Sequence, residues 1–213
     1  MDKNTRWFKD NVLERTKESL NFKGYEVYIV EDKNEAREMV VSLIQNKSTV
    51  ACGGSQTLEQ CGILDALREG DYDFLDRYSE GLTKDDIKQL HKNAFLSDYY
   101  LTSSNAITQN GELVNLDGLG NRVAAMMYGP ERVIVLAGEN KITADIDSAY
   151  ERVRKYVAPT NCKRLEIGTP CLRTASCINC SNENRICNHY VVTYRQNSPG
   201  RAIVILVKED LGY

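Results

Sequence analysis

Apolar positions recur at two spacings along this chain, and the alternation between them predicts the order of its elements. Short apolar runs at Tyr25–Val30, Ser48–Cys52, Tyr99–Thr102, Arg132–Ala137 and Ile203–Val207 have the length and β-branched content of strands. Runs apolar on both faces suit strands covered on both sides, as in a parallel sheet. Between them the spacing turns helical. Over 34–45, Ala36, Met39, Val40, Leu43 and Ile44 follow i, i+3, i+4, i+7 and i+8, and over 58–68 Leu58, Cys61, Leu64 and Leu67 share one face. Ile142, Ile146, Ala149, Tyr150, Val153 and Val157 mark a helix over 142–157 that Pro159 is expected to stop. Thr83 with Asp86 three places on is a capping box and predicts a helix to about Phe95. Residues 71–82, acidic and aromatic, read as a loop. Strands alternating with helices imply an α/β fold: a mainly parallel open sheet flanked by helices, in one domain over 1–213.

Two glycine-rich turns break this pattern where strands give way to helices. Gly53-Gly54-Ser55-Gln56-Thr57 follows the Ser48–Cys52 run, with Ser55 or Thr57 placed to cap the next helix. The second stretch, Asn105 to Arg122, holds a hairpin insertion whose strands Asn105–Thr108 and Glu112–Leu116 meet at Asn110-Gly111, the strongest two-residue signal for a type I′ turn. Behind it, Gly118 and Gly120 precede a helix start near Asn121. Bare N–H groups, hydroxyls and helix starts at the carboxyl ends of strands are where phosphates and carboxylates bind. The candidate ligand set is therefore Gly53, Gly54, Ser55, Thr57, Asn105, Gly118, Gly120, Asn121 and Arg122. Neither turn has the lysine and spacing of a P-loop, and the six-residue dinucleotide fingerprint is absent.

Charge and composition narrow the partners. With 27 basic and 30 acidic residues the net charge is −3, which gives no electrostatic case for nucleic acid or an anionic membrane. No apolar run approaches the roughly 18 residues of a membrane span, and the start Met-Asp-Lys-Asn-Thr-Arg-Trp has no signal-peptide core, so a cytoplasmic location is expected. The N-terminal helix (1–22) is highly charged, with Trp7, Phe8, Val12 and Leu20 as its few anchors, and packs on the body or on a second subunit, which makes a homodimer a candidate.

Five of the seven cysteines crowd an excursion over 160–190, before the last strand. Cys177-Ile-Asn-Cys180 is a C-x-x-C pair, and Cys171 and Cys187 bracket it. Four thiolates suit a tetrahedral zinc ion or an iron–sulfur cluster, and a segment so poor in apolar residues needs something other than a hydrophobic core to order it. The spacing matches no standard finger or ferredoxin run, which leaves free thiols as the competing reading.

Reactive groups are few. Cys52 ends a strand beside the Gly-Gly turn as a candidate nucleophile or a small core residue. Asp117 stands as an acid or base, or as a turn carboxylate bonding its own backbone. Arg122 is placed to clamp an anion bidentately, with a solvated surface arginine as the alternative, and Lys141 is a weaker candidate of the same kind. His91 lies in a charged helix and His189 ends the cysteine run, so no Ser/His/Asp or Cys/His arrangement is legible.

Taken together, Gly53-Gly54-Ser55-x-Thr57, the Ala106-Ile-Thr-x-Asn-Gly turn, Gly120-Asn-Arg122 and the Thr169-Pro-Cys171…Cys177-x-x-Cys180…Arg185-Ile-Cys187-Asn tail resemble the lactate-utilization (LUD) domain family over nearly the whole chain. The resemblance implies the fold of ribose-5-phosphate isomerase, glucosamine-6-phosphate deaminase and CoA transferases. It also implies an accessory or regulatory role in lactate-type 2-hydroxy acid oxidation, beside iron–sulfur oxidoreductase subunits and with a small anionic ligand. The alternatives are an isomerase or transferase acting on a phosphorylated sugar or acyl-CoA, and a metal-dependent interaction module. The hairpin further resembles methylthioribose-1-phosphate isomerase and its translation-factor relatives, but Asn105 stands where that enzyme has its catalytic Asp and Asp117 where it has Lys. CoA transferases carry a Glu where this chain has Gln109.

Overall fold

A computed structural model describes residues 1–213. The chain opens with α1 (Lys3–Phe22), capped by the Asp2 carboxylate on the N–H groups of Asn4 and Thr5. There follow β1 (Glu26–Val30), α2 (Lys33–Leu43), β2 (Thr49–Cys52), the short α3 (Gln56–Gln60) and α4 (Ile63–Glu69), β3 (Asp73–Leu75) and α5 (Lys84–Asn93). The middle third holds β4 (Tyr99–Ser103), β5 (Ala106–Thr108), β6 (Leu113–Asp117), α6 (Asn121–Met127), β7 (Arg132–Gly138) and β8 (Ile142–Thr143). The rest comprises α7 (Ile146–Arg152), α8 (Ala158–Arg164), α9 (Pro170–Thr174), β9 (His189–Thr193) and β10 (Ala202–Val207).

Six strands form one sheet in the order β1-β10-β7-β4-β2-β3, and every pairing is parallel. Alternate residues sort to opposite faces, as the pleat requires. Val50, Leu101, Ile134, Leu136, Ile203 and Ile205 pack with Ala36 and Val40 of α2 and with Leu58, Ile63 and Leu67 of α3 and α4. Ala51, Tyr100, Val133, Val135, Val204 and Leu206 pack with Leu13 and Leu20 of α1 and with Ala125 and Met126 of α6. The expected α/β architecture is thus the observed one, with helices on both faces of a parallel sheet. No helix is long and apolar enough to cross a membrane.

The hairpin turned out to be part of a second, four-stranded sheet in the order β8-β5-β6-β9. Two elements of it were misread in the sequence. Ile142 lies in β8, parallel to β5, and the helix starts only at Ile146 under an Asp145 cap. The excursion also contains β9, antiparallel to β6. The turn differs too. Only Gly111 takes a positive φ, +86°, and Gly111 N–H bonds Thr108 O at 2.9 Å while Thr108 N–H bonds Glu112 O at 3.0 Å. That is the three-residue loop with a left-handed glycine at its end rather than a type I′ turn. A Cβ on Gly111 would stand 2.9 Å from the Ser19 carbonyl carbon, so the glycine is what lets the hairpin seat on α1.

Pro159 does not stop its helix. A π-helical turn over Val153–Val157 joins α7 to α8, and Ala158 N–H reaches Val153 O, five residues back. The shifted register places the proline in the first turn of α8, where its missing N–H is not needed. Residues 71–82, expected to be all loop, include the edge strand β3.

On α1 the anchors are Leu13, Thr16 and Leu20. Trp7 and Phe8, expected to anchor the helix, are 67% and 58% exposed. Ion pairs complete the attachment: Lys23 with Glu112 of the hairpin, and Arg6 and Lys9 with the buried Glu139 carboxylate at 2.7 and 2.8 Å.

Candidate functional site

The neighbouring strands β7, β4 and β2 end side by side, and their carboxyl-terminal loops surround a polar cleft of about 550 Å³. Gly54 and Ser55 come from the loop after β2 and Gln56 from the start of α3, Ser103 from the end of β4 and Ser104 and Asn105 from the loop after it, and Lys141 from the turn after β7. Leu116, Asp117 and Arg122 contribute from β6 and α6, Asn161 and Arg164 from α8, and Tyr213 from the C-terminal tail. Gly53 packs tightly just behind it. A Cβ there would lie 3.0 Å from Tyr100 Oη and 3.1 Å from Arg122 Cγ and Cδ.

Lys141 forms the floor. Its side chain is buried, and Nζ donates to Thr57 Oγ1 at 2.8 Å and Ser103 Oγ at 2.9 Å. No carboxylate pairs with it. Burial, reinforced by the guanidinium groups of Arg152 and Arg122, pushes its pKa down to about 7. The turn that carries it is braced from several sides. Glu139 is held by Arg6 and Lys9, Asn140 O accepts from Arg152 Nε at 3.1 Å, and Asn140 Oδ1 accepts from Leu211 N–H at 3.1 Å. The tail then lies over the amine: Gly212, at φ +59°, is so close that a Cβ would meet Thr57 Oγ1 at 2.6 Å and Lys141 Nζ at 3.3 Å.

Arg122 is a structural arginine, contrary to the expected bidentate clamp on a ligand. Nη1 donates to Ser103 O at 2.9 Å and Asn115 Oδ1 at 2.7 Å, and Nη2 to Asn105 Oδ1 at 3.1 Å and Leu116 O at 3.2 Å. All four Nη hydrogens are thus spent within the protein. Asn105 and Asn115 complete the lattice, since Asn105 N–H donates to Asn115 Oδ1 and Leu116 N–H to Asn105 Oδ1. Arg122 ties the end of β4 to β6 and leaves its charge, but no free Nη hydrogen, to the cleft.

Asp117 does the work of a turn carboxylate. Oδ2 accepts Val123 N–H at 3.0 Å, Oδ1 accepts Gly118 N–H at 3.2 Å, and Arg122 Nε stands 3.8 Å away. Cys52 belongs to the core, 5% exposed, and burial pushes its thiol up to about 12, which removes it as a nucleophile.

The candidate ligand residues therefore divide. Gly54, Ser55, Asn105 and Arg122 line the cleft, with Gly53 and Thr57 immediately behind it. Gly118, Gly120 and Asn121 do not. Gly118 packs on the Ile186 carbonyl, Gly120 on the His189 ring, and Asn121 lines a separate small cavity with Cys52 and His91. Glycines near a helix start served tight packing of the cysteine-bearing strap here. Sequence reasoning also passed over Ser103, Ser104, Asn161, Arg164 and Tyr213. Only the first two carried a signal, as a polar pair directly after a buried strand.

The four candidate metal-ligating cysteines do not converge. No three His, Cys, Asp or Glu side chains are gathered closely enough to hold a metal ion. Cys171 turns instead toward Cys162 and Thr169, whose Oγ1 lies 3.2 Å from its sulfur. Cys177 accepts Asn179 N–H at 3.4 Å and touches the Arg154 guanidinium. Arg185 orders the strap by donating to Cys180 O at 2.7 Å and Cys187 O at 2.9 Å. As placed, the thiols do not fit a tetrahedral zinc ion or a cluster.

The LUD-domain family model matches residues 13–207. The chain belongs to the LUD domain family. A crystal structure of a DUF162 family protein from Deinococcus radiodurans matches with a TM-score of 0.56 and 13% identity, over 93% of this chain and 98% of that one. Ribose 5-phosphate isomerase from Plasmodium falciparum (TM-score 0.35, 16% identity, 78% of each chain) and eIF2B delta from Chaetomium thermophilum (TM-score 0.38, 20% identity, 57% of this chain and 54% of that one) also match. No curated protein matches the chain significantly.

Proposed function

We propose that this LUD-domain chain is an accessory or regulatory component of lactate-type 2-hydroxy acid oxidation, working beside iron–sulfur oxidoreductase subunits and binding a small organic anion in the cleft above Lys141. One observation carries the ligand reading: a buried amine on the cleft floor whose only partners are two hydroxyls. An ammonium needs a countercharge when buried. A carboxylate entering the cleft would supply it, in the added field of Arg122 and Arg164. Arg164 is exposed and bonds Asn161 Oδ1 through Nε and Nη2, with the Tyr213 hydroxyl beside it. The isomerase alternative is less well supported, because Asp117, the one carboxylate in the cleft, has both oxygens engaged by backbone N–H groups.

Calorimetric titration with lactate, pyruvate, inorganic phosphate and ribose 5-phosphate tests the reading. Lactate or pyruvate is expected to bind, and Lys141→Met to weaken binding by about 1.5–3 kcal/mol, the value of a hydrogen bond to a charged group. With the amine near half-protonated at neutral pH, binding should also take up protons, so the measured enthalpy should vary with the ionisation enthalpy of the buffer. No binding of either acid, or unchanged binding by Lys141→Met, would overturn it.

A further inference from the structure

We propose that Lys141 is an amine nucleophile that condenses with the carbonyl group of a small 2-oxo acid in the cleft to form a Schiff base. The proposal rests on the anion reading and adds a covalent step to it. The nitrogen of Lys141 has three directions besides its own carbon. Two are taken by Thr57 Oγ1 and Ser103 Oγ; Gly212 of the tail lies against the amine but its carbonyl accepts from Asn140 Nδ2, and the side chain lines the cleft, so the third is left without a protein acceptor. With hydroxyls rather than carboxylates as partners, neither hydrogen bond selects the ammonium over the amine, because the hydroxyl oxygens accept N–H from either form. The other groups that act on the amine are Arg122 of α6 and Arg152 of α7, which disfavour its charge, and the thiol of Cys61 between α3 and α4, which acts weakly the other way. Near pH 7 about half of the amine is therefore uncharged, where a surface lysine of pKa ~10.4 would be neutral in fewer than ~1 molecule in 1,000. Burial and opposing cations are the two devices that activate lysine toward carbonyl substrates.

The step balances without a further reactant. The lone pair on Nζ adds to the carbonyl carbon, the C=O π pair moves to oxygen, and one of the two nitrogen protons passes to that oxygen, the other leaving with it when water departs. The carbinolamine then expels water as the C=N bond forms, so one carbonyl and one amine give one imine and one water, with nothing oxidised or reduced. Thr57 and Ser103 hold the two amine hydrogens and thereby point the lone pair into the cleft. The Arg164 guanidinium, on the wall of the cleft, offers the adjacent carboxylate a positive partner.

The test is reductive trapping. The full chain is incubated with pyruvate and sodium cyanoborohydride and examined by intact mass and peptide mapping. The expected product is one adduct per chain, of pyruvate less one oxygen, on Lys141, with its rate levelling off above about pH 7. Labelling by surface lysines would keep rising to about pH 10. Lys141→Met should abolish the adduct, and Thr57→Val, which keeps the lysine and its shape, should slow it severalfold. Adducts scattered over other lysines with none on Lys141, or a Lys141 rate that climbs like a surface amine, would overturn the proposal. Lactate, which has no carbonyl, separates the two readings. Saturable lactate binding without a pyruvate adduct refutes only the imine, and loss of both refutes the anion site with it.

Discussion

Replacing Lys141 by Met should make the unliganded protein more stable below neutral pH. The side chains are similar in length, so the change removes the charge and the two hydroxyl contacts while leaving little cavity. The magnitude follows from the shift. Moving the pKa from 10.5 to about 7 means that the fold disfavours the ammonium by about 5 kcal/mol at about 1.36 kcal/mol per unit. The two hydrogen bonds return about 1 kcal/mol each, so Lys141→Met should gain about 3 kcal/mol. The sign of the pH dependence is determined by which state holds the proton. Below about pH 7 both the folded and the unfolded chain are protonated at this site and the penalty is full. Between about 7 and 10.5 only the unfolded chain keeps the proton, so wild-type stability rises by about 1.4 kcal/mol per pH unit relative to the variant. Above 10.5 the penalty is gone and the variant is the less stable by its lost hydrogen bonds.

Urea denaturation of both proteins across this range, taken as the difference in unfolding free energy at each pH, isolates the effect. Other groups with shifted pKa values, such as Cys52 and Tyr100, are common to both and cancel in the difference. A difference that stays flat with pH, or a methionine variant less stable at about pH 6, would refute the reasoning. The outcome bears on function, since stability given up to hold an unpaired charge is a mark of a binding or catalytic site.

Three further outcomes are expected. Arg122→Ala should destabilise the fold by about 3–5 kcal/mol in the same assay, as expected for breaking a buried charged network, because four acceptors lose their donor; a loss below about 1 kcal/mol would show that the lattice is not formed. In alkylation followed by peptide mapping, Cys171, Cys177 and Cys180 should label first and Cys52, Cys61 and Cys162 last, since burial pushes the latter thiols up to about 12, 11 and 11; early labelling of Cys52 would remove it from the core. Trp7, the single tryptophan, should emit as a solvated indole and be fully quenched by acrylamide in a monomer, whereas a blue shift that grows with protein concentration would show a second copy covering α1.

The elements most legible in the sequence were those whose signal is local and repeated. The near-continuous apolar strands, the α2 stripe of Ala36, Met39 and Val40, and the capping box of Thr83 and Asp86 follow from side-chain spacing alone. What was misread depended on partners distant in the chain. Tyr190, Val191, Val192 and Thr193 make an ordinary β-branched run, yet their strand exists only by pairing with β6 across the cysteine strap, and five nearby cysteines drew attention to metal chemistry instead. The stop expected at Pro159 ignored that one π-helical turn upstream shifts the register enough to absorb a proline.

The same distinction runs through the cleft. Gly53, Gly54 and Ser55 were legible because the chemistry of a strand-to-helix turn is written in consecutive residues. Lys141 was ranked low because nothing around it in sequence buries it. Thr57 lies 84 residues away, Ser103 lies 38 away, and Gly212 of the tail covers both the amine and Thr57. Arg122 erred in the opposite direction: its neighbours Gly120 and Asn121 promised a ligand loop, while its four acceptors sit on β4, β6 and the loop between β4 and β5. The arginine in the first turn of α6 thus spends its donors on the scaffold, while the lysine of the turn after β7, the weaker candidate of the two, keeps one direction open. Which cation can take a ligand was decided by how many acceptors the fold brought to it, and that number is a property of strand order.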